Sequence, residues 1–164
     1  MLGAVAQQVP IDSSPVGDDE AADRAKRQVE RAMNAGLPFA EKMLADHGEF
    51  APFGAVMLPE GLIQTVGTDT RDGDAPVEEL YQRLSSGLRR GAESGAYQAI
   101  ATFVLVQMRK PDDGEIISVV RVALEHRSGY CVDVYYPTVK RGEILTLGDP
   151  VAGKRTGEFF EACR

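Results

Sequence analysis

Apolar residues recur along the chain with two different periods. Ala22, Ala25, Val29, Ala32 and Met33 fall at three- and four-residue intervals, forming one stripe on a helix. Asp18 or Asp19 is the expected start, because a carboxylate suits the unbonded N–H groups and positive end of a helix. Asn34, Gly36 and Pro38 then predict a break or kink, since proline lacks an N–H and crowds the preceding turn. A second helical piece over residues 38–47 is expected to bury Phe39, Met43 and Leu44 and to stop at Gly48. Further on, Val77, Leu80, Tyr81, Leu84 and Leu88 repeat at helical spacing opposite Glu78, Glu79, Gln82, Arg83, Arg89 and Arg90. This is the clearest amphipathic helix, opened by Asp74 and Pro76 and ending near Ser94 and Gly95.

Between and after these helices the period shortens to two. Residues 52–58 and 62–68 read as strands joined by a tight turn at Pro59, Glu60 and Gly61. Residues 97–109 are apolar on both alternating sets, which marks a strand covered on both sides. A turn at residues 110–114 leads into a return strand over 115–126. Its partner carries Tyr130, Val132, Val134 and Tyr136, which must share a face with Leu124, Val122 and Val120. A two-residue turn at Ser128 and Gly129 would pair Arg127 with Tyr130 and set Glu125 and Arg121 against valines. A three-residue loop, Arg127 to Gly129, instead pairs His126 with Tyr130, Leu124 with Val132, Val122 with Val134 and Val120 with Tyr136. Gly129 then takes the left-handed position, Glu125 faces Cys131, and Arg121 and Asp133 become diagonal neighbours able to pair. One further strand is expected within residues 142–148, while residues 149–164 read as a tail or short terminal helix.

The expected fold is therefore α+β, in the order α-β-β-α-β-β-β, with helices packed on an antiparallel sheet of about five strands. Residues 1–17 read as a flexible acidic arm, 18–148 as a single domain and 149–164 as the tail. With 164 residues and 43% hydrophobic content, the chain is long enough to form one core without a staple. Charge adds a distinction. The formal net charge is −7, but Asp12, Asp18, Asp19 and Glu20 precede any basic residue, so the rest of the chain carries only −3. An acidic chain disfavours nucleic acid and anionic membrane surfaces as partners. The longest uncharged stretch, residues 94–108, is too short for a membrane helix. Two cysteines, Cys131 and Cys163, in a chain of this size fit reduced thiols and a cytoplasmic location better than a disulfide framework.

Candidate chemistry is sparse. His47 and His126 have no second ligand at metal spacing, and Asp69, Asp72 and Asp74 lack the ladder of a calcium loop, so no metal or other cofactor is expected. No serine stands in a nucleophile motif, and Cys131 is expected beside Glu125, which would raise rather than lower a thiol pKa. Residues 151–156 contain a Gly-Lys pair without the phosphate-loop frame and read as a solvated loop. Arg83, Arg89 and Arg90 read as a solvated helix flank paired with nearby glutamates.

The run His47-Gly-Glu-Phe-Ala-Pro-Phe-Gly-Ala-Val56 resembles an uncharacterised group of small bacterial proteins, in which a helix ends in Gly-Glu-Phe before a strand beginning Pro-Phe-Gly-Ala. The likeness extends over residues 38–136 and implies no established activity or catalytic residue. The element order also resembles roadblock and profilin-like dimerisation modules in topology, without the third helix of the former.

The expected function is a non-enzymatic interaction module. With both helical regions on the even face, the odd face would expose Ala99, Ala101, Phe103, Leu105, Ile117, Val119 and Tyr135, with Arg121 and Asp133 as polar markers. Such a patch signals an interface, with the partner a second copy or another protein. A regulatory or immunity-type protein capturing a basic partner is one version. The alternative is a small-ligand-binding or enzymatic domain whose helix–sheet pocket uses Tyr81, Tyr97 or Tyr130 as anchors.

Overall fold

In the computed structural model, which describes residues 9–67 and 75–164, two helices flank an antiparallel sheet. The elements are α1 (Val9–His47), β1 (Phe53–Met57), β2 (Ile63–Val66), α2 (Val77–Glu93), β3 (Ala99–Arg109), β4 (Ile116–His126), β5 (Cys131–Arg141), β6 (Ile144–Leu147) and β7 (Val151–Lys154), then a 3-10 turn at Glu161–Cys163. The α+β class is as expected, but the sheet has seven strands rather than about five. Its order is β2-β1-β3-β4-β5-β6, with β7 also paired to β5.

The first correction concerns α1. It is described from Val9, ahead of the expected start at Asp18, and runs unbroken past Asn34, Gly36 and Pro38. Val29, Ala32, Gly36, Ala40 and Leu44 keep one buried stripe across the supposed break. Continuous tertiary packing outweighs the single backbone bond that Pro38 removes. Gly36 serves the packing: a Cβ there would lie 2.5 Å from the Phe103 ring, which stacks on Phe53 with centroids 4.5 Å apart. Phe39, expected in the core, is 50% exposed and touches Phe53 only edge-on. Gly48 ends the helix as expected, at φ 76° with its N–H on the Leu44 carbonyl.

The hairpin of β1 and β2 closes where expected. Gly61 has φ 97° and donates to the Leu58 carbonyl. The acidic opening of α2 at Asp74 and the aspartates 69 and 72 fall outside the described residues. From Val77 the helix buries Leu80, Leu84, Ser85 and Leu88, while Val77 itself is exposed. The β4–β5 register is the derived one: Val120 faces Tyr136, Val122 Val134, Leu124 Val132 and Glu125 Cys131. Gly129 has φ 106° and closes the three-residue loop onto the His126 carbonyl.

Two layers of core result. On one face α1 packs on Phe53, Ala55, Met57, Ala101, Phe103, Val120, Val122, Leu124 and Val134. On the other, α2 and the chain end share a smaller cluster of Val56, Leu84, Leu88, Ile100, Phe159, Phe160 and Cys163. At Gly54 a Cβ would lie 3.3 Å from the Ala101 carbonyl oxygen of the neighbouring strand, tighter than an ordinary contact. The strand β5 changes neighbour around Pro137: residues 132–135 pair with β7 and residues 138–141 with β6. Residues 149–164, expected as a tail or short helix, therefore supply a strand and part of the core.

Candidate functional site

The sheet face opposite α1 divides into a closed half and an open half. The closed half lies beneath α2 and residues 155–163, and its centre is a charged cluster. Arg155 follows β7 and is buried. Its Nε donates to Glu125 Oε2 (3.0 Å), its Nη1 to Asp133 Oδ1 (3.1 Å) and its Nη2 to Glu158 Oε1 (2.8 Å). Three successive backbone N–H groups also converge on the fully buried Glu125 carboxylate: Glu158 at 2.7 Å, Phe159 at 3.0 Å and Phe160 at 3.2 Å. Tyr81 Oη donates to Glu158 Oε1 at 2.7 Å, which ties α2 to the same cluster. Burial and this bond to a carboxylate both hold the Tyr81 phenol above its ordinary pKa. For Glu158, burial favours the neutral acid, but the donors Tyr81 and Arg155 and the charge of Arg121 outweigh it and lower its pKa. Burial likewise opposes the Arg155 charge, and the bond to Glu158 with the charges of Glu125 and Asp133 outweighs it, so Arg155 stays protonated more firmly than an isolated guanidinium.

A disulfide joins Cys131, at the start of β5, to Cys163 beside the chain end, with Cα atoms 5.9 Å apart. This overturns the reduced-thiol reading, and with it the cysteine argument for a cytoplasmic location, because disulfides persist in oxidising surroundings. Spacing in sequence could not show that the last residues return to β5. Glycine 157 makes the return possible: a Cβ there would overlap Cys163 and the Glu125 carboxylate, and its N–H bonds the Cys163 carbonyl. The segment read as a solvated loop, residues 151–156, is thus β7 followed by a buried arginine. A signal did exist in the sequence: Glu125 stands among apolar neighbours on β4 and needs a cation, and Phe159-Phe160 needs a core.

The open half holds a groove of about 300 Å³ lined by Met108, Ile117, Val119, Tyr135, Pro137 and Val151, with Arg109, Lys110 and Pro111 at its rim. The expected interface residues do not all reach it. Since Phe103 pairs with Val122 and Leu105 with Val120, the odd residues of β3 share a face with the even residues of β4. Phe103, Ala99 and Ala101 are fully buried in the α1 layer, and Leu105 packs against that layer. Ile117, Val119, Arg121, Asp133 and Tyr135 lie on the opposite face. Arg121 and Asp133 approach as diagonal neighbours, Nε to Oδ1 at 3.9 Å, next to the cluster around Arg155. Odd residues of β3 and odd residues of β4 lie on opposite faces, because the register of this hairpin pairs odd with even.

The three tyrosines do not share one pocket. Tyr81 is bound to Glu158, Tyr97 packs with the α2 cluster and Tyr130 with the α1 core, so they lie on two sides of the sheet. Tyr97 lines a cleft of about 570 Å³ with Ala92, Arg127 and Phe160 at the end of α2. A second cleft, of about 470 Å³ between the end of α1 and the start of α2, is lined by residues including Met43, His47, Glu49, Phe50 and Leu80. His126 sits at the end of the β4–β5 hairpin. The Ser128 N–H donates to its Nδ1 (3.1 Å), leaving Nε2 to donate to Gln28 Oε1 on α1 (2.7 Å). Burial, with Arg127 nearby, lowers its pKa, in keeping with this neutral tautomer. Arg83 pairs with Glu79 as expected of a helix flank, and Arg89 reaches the Glu158 carbonyl. Among the described residues no group of three or more His, Cys, Asp or Glu is gathered for a metal, and no helix is long and apolar enough to cross a membrane. Comparison with family models, with curated proteins and with solved structures returns no match, so the geometry alone carries the functional reading.

Proposed function

We propose that the chain is a non-enzymatic protein-interaction module that pairs with a second copy of itself through the open half of this sheet face. The observation that carries the reading is the groove between Met108 and Val151, lined chiefly by apolar side chains, with Tyr135, Arg109 and Lys110 as its polar members. Val151 is 65% exposed and Met108 42%, an arrangement that association would relieve. Net charge does not strongly oppose a like partner: of the −7 on each copy, −4 lies within residues 1–20, so the remaining −3 on each repels only weakly. The β3–β4 turn beside the groove carries both signs, with Arg109 and Lys110 next to Asp112, Asp113 and Glu115. A two-fold axis through such a rim sets the basic side of one copy against the acidic side of the other. The buried charges of the closed half are engaged in holding the chain end, which also supports a binding role over a catalytic one.

Light scattering across micromolar concentrations tests this. The expected result is a mass of two chains, reduced to one by Val151→Glu or Met108→Glu with the thermal midpoint kept. A single-chain mass for the unsubstituted protein throughout the range would sink the proposal.

A further inference from the structure

We infer that the Cys131–Cys163 disulfide is a redox latch on the C-terminal clasp, residues 151–164, and that opening it dismantles one wall of the groove. Three observations combine. First, beyond the β7–β5 pairing over residues 151–154, the non-covalent polar hold of the clasp is ionic: Arg155, Glu125, Asp133 and Glu158 in one cluster, with the N–H groups of residues 158–160 on Glu125. In such a cluster the attraction is mostly offset by the cost of removing charges from water, and every member is rehydrated when the segment lifts. Second, the apolar part of the hold comes chiefly from Phe159 and Phe160, and it works against the ordering entropy of the whole segment. The covalent link is therefore what tips the balance. Third, the latch lies at both ends of the structure it controls. Cys131 begins β5, Cys163 lies beside the chain terminus, and between them β7 brings Val151 opposite Tyr135 in the groove wall.

The step needs a dithiol reductant. A thiolate of the reductant attacks the Sγ of Cys131, the less buried of the pair, forming a mixed disulfide and expelling Cys163 as a thiolate that takes up a proton. The second thiol of the reductant, as thiolate, resolves the mixed disulfide and leaves as the oxidised cyclic form. Cys131 is released and protonated, so two electrons and two protons pass to the protein. The clasp then opens without global unfolding, β5 loses β7 as a neighbour over residues 132–135, and the groove loses Val151. Control of the groove rests on the self-association reading, whereas the latch itself rests on the fold alone.

Amide hydrogen exchange, followed residue by residue with and without dithiothreitol, separates the two. In the oxidised protein, the amides of Gly157, Glu158, Phe159 and Phe160 should be protected to within a few-fold of Val122 and Leu124 in β4. After reduction they should exchange at least about 100-fold faster than those β4 amides in the same sample, the scale set by the lost loop constraint. A double variant, Cys131→Ser with Cys163→Ser, should reproduce the reduced pattern. If the clasp amides stay within a few-fold of β4 after reduction, whether both sets accelerate together or neither does, the latch is overturned. Repeating the measurement on Met108→Glu, an expected monomer whose substitution lies outside the clasp, keeps the outcome independent of self-association.

Discussion

Gly36 shows how one residue can carry opposite meanings at two levels. In a helix a glycine costs roughly 0.5–1 kcal/mol relative to alanine, so Gly36→Ala should stabilise α1 on propensity alone. The Cβ would, however, meet a fully buried Phe103 ring stacked on Phe53, which has nowhere to move. Overpacking of this kind costs about 1–3 kcal/mol, so the net effect should be destabilising by about 1–2 kcal/mol in urea unfolding. His126 offers a second residue-scale outcome. Its pKa in the folded chain lies below the ordinary 6.5 because burial favours the neutral ring. The unfolded chain thus binds the proton more readily, and the stabilisation present above pH 6.5 is lost as pH falls through the folded value. The thermal midpoint should drop between pH 7.5 and 5.5, and His126→Gln should flatten that dependence. An unchanged slope in the variant would show that another group governs it.

At the scale of elements, the β4–β5 hairpin and the C-terminal clasp behave oppositely with respect to the sequence. The hairpin register was legible because apolar residues alternate on both strands and the loop had to keep them on one face, so Gly129 and the Arg121–Asp133 diagonal followed. The clasp was not legible because its contacts join residues 30 or more positions apart, Glu125 to Arg155 and Cys131 to Cys163. No local period encodes such a return. Its energetics can be tested at Glu125. Glu125→Leu leaves three N–H groups and a buried guanidinium short of an acceptor and should cost about 3–5 kcal/mol. Glu125→Gln keeps one oxygen and should cost less. Equal losses in chemical denaturation would mean that shape, not the carboxylate, holds the segment.

For the whole molecule, the decisive relation is which strand faces share a side. The α1 layer takes Phe103 and Leu105, while the opposite face takes Ile117, Val119 and Tyr135. Phe103→Glu should accordingly abolish cooperative unfolding instead of yielding a folded single chain, since it places an unpaired carboxylate in the core. A folded monomer from that substitution, seen by circular dichroism and light scattering, would contradict the layer assignment.

Periodicity and turn chemistry act over a few residues, and they suffice for the α+β class, the β1–β2 hairpin, the amphipathic α2 and the register of β4 on β5. The continuity of α1 through Gly36 and Pro38, the odd face that β3 presents to α1 and the closing of residues 151–164 onto β5 arise in the folded chain instead. Those outcomes depend on packing, ion pairing and a disulfide between residues far apart in the chain, where the gain from contact outweighs the local preference.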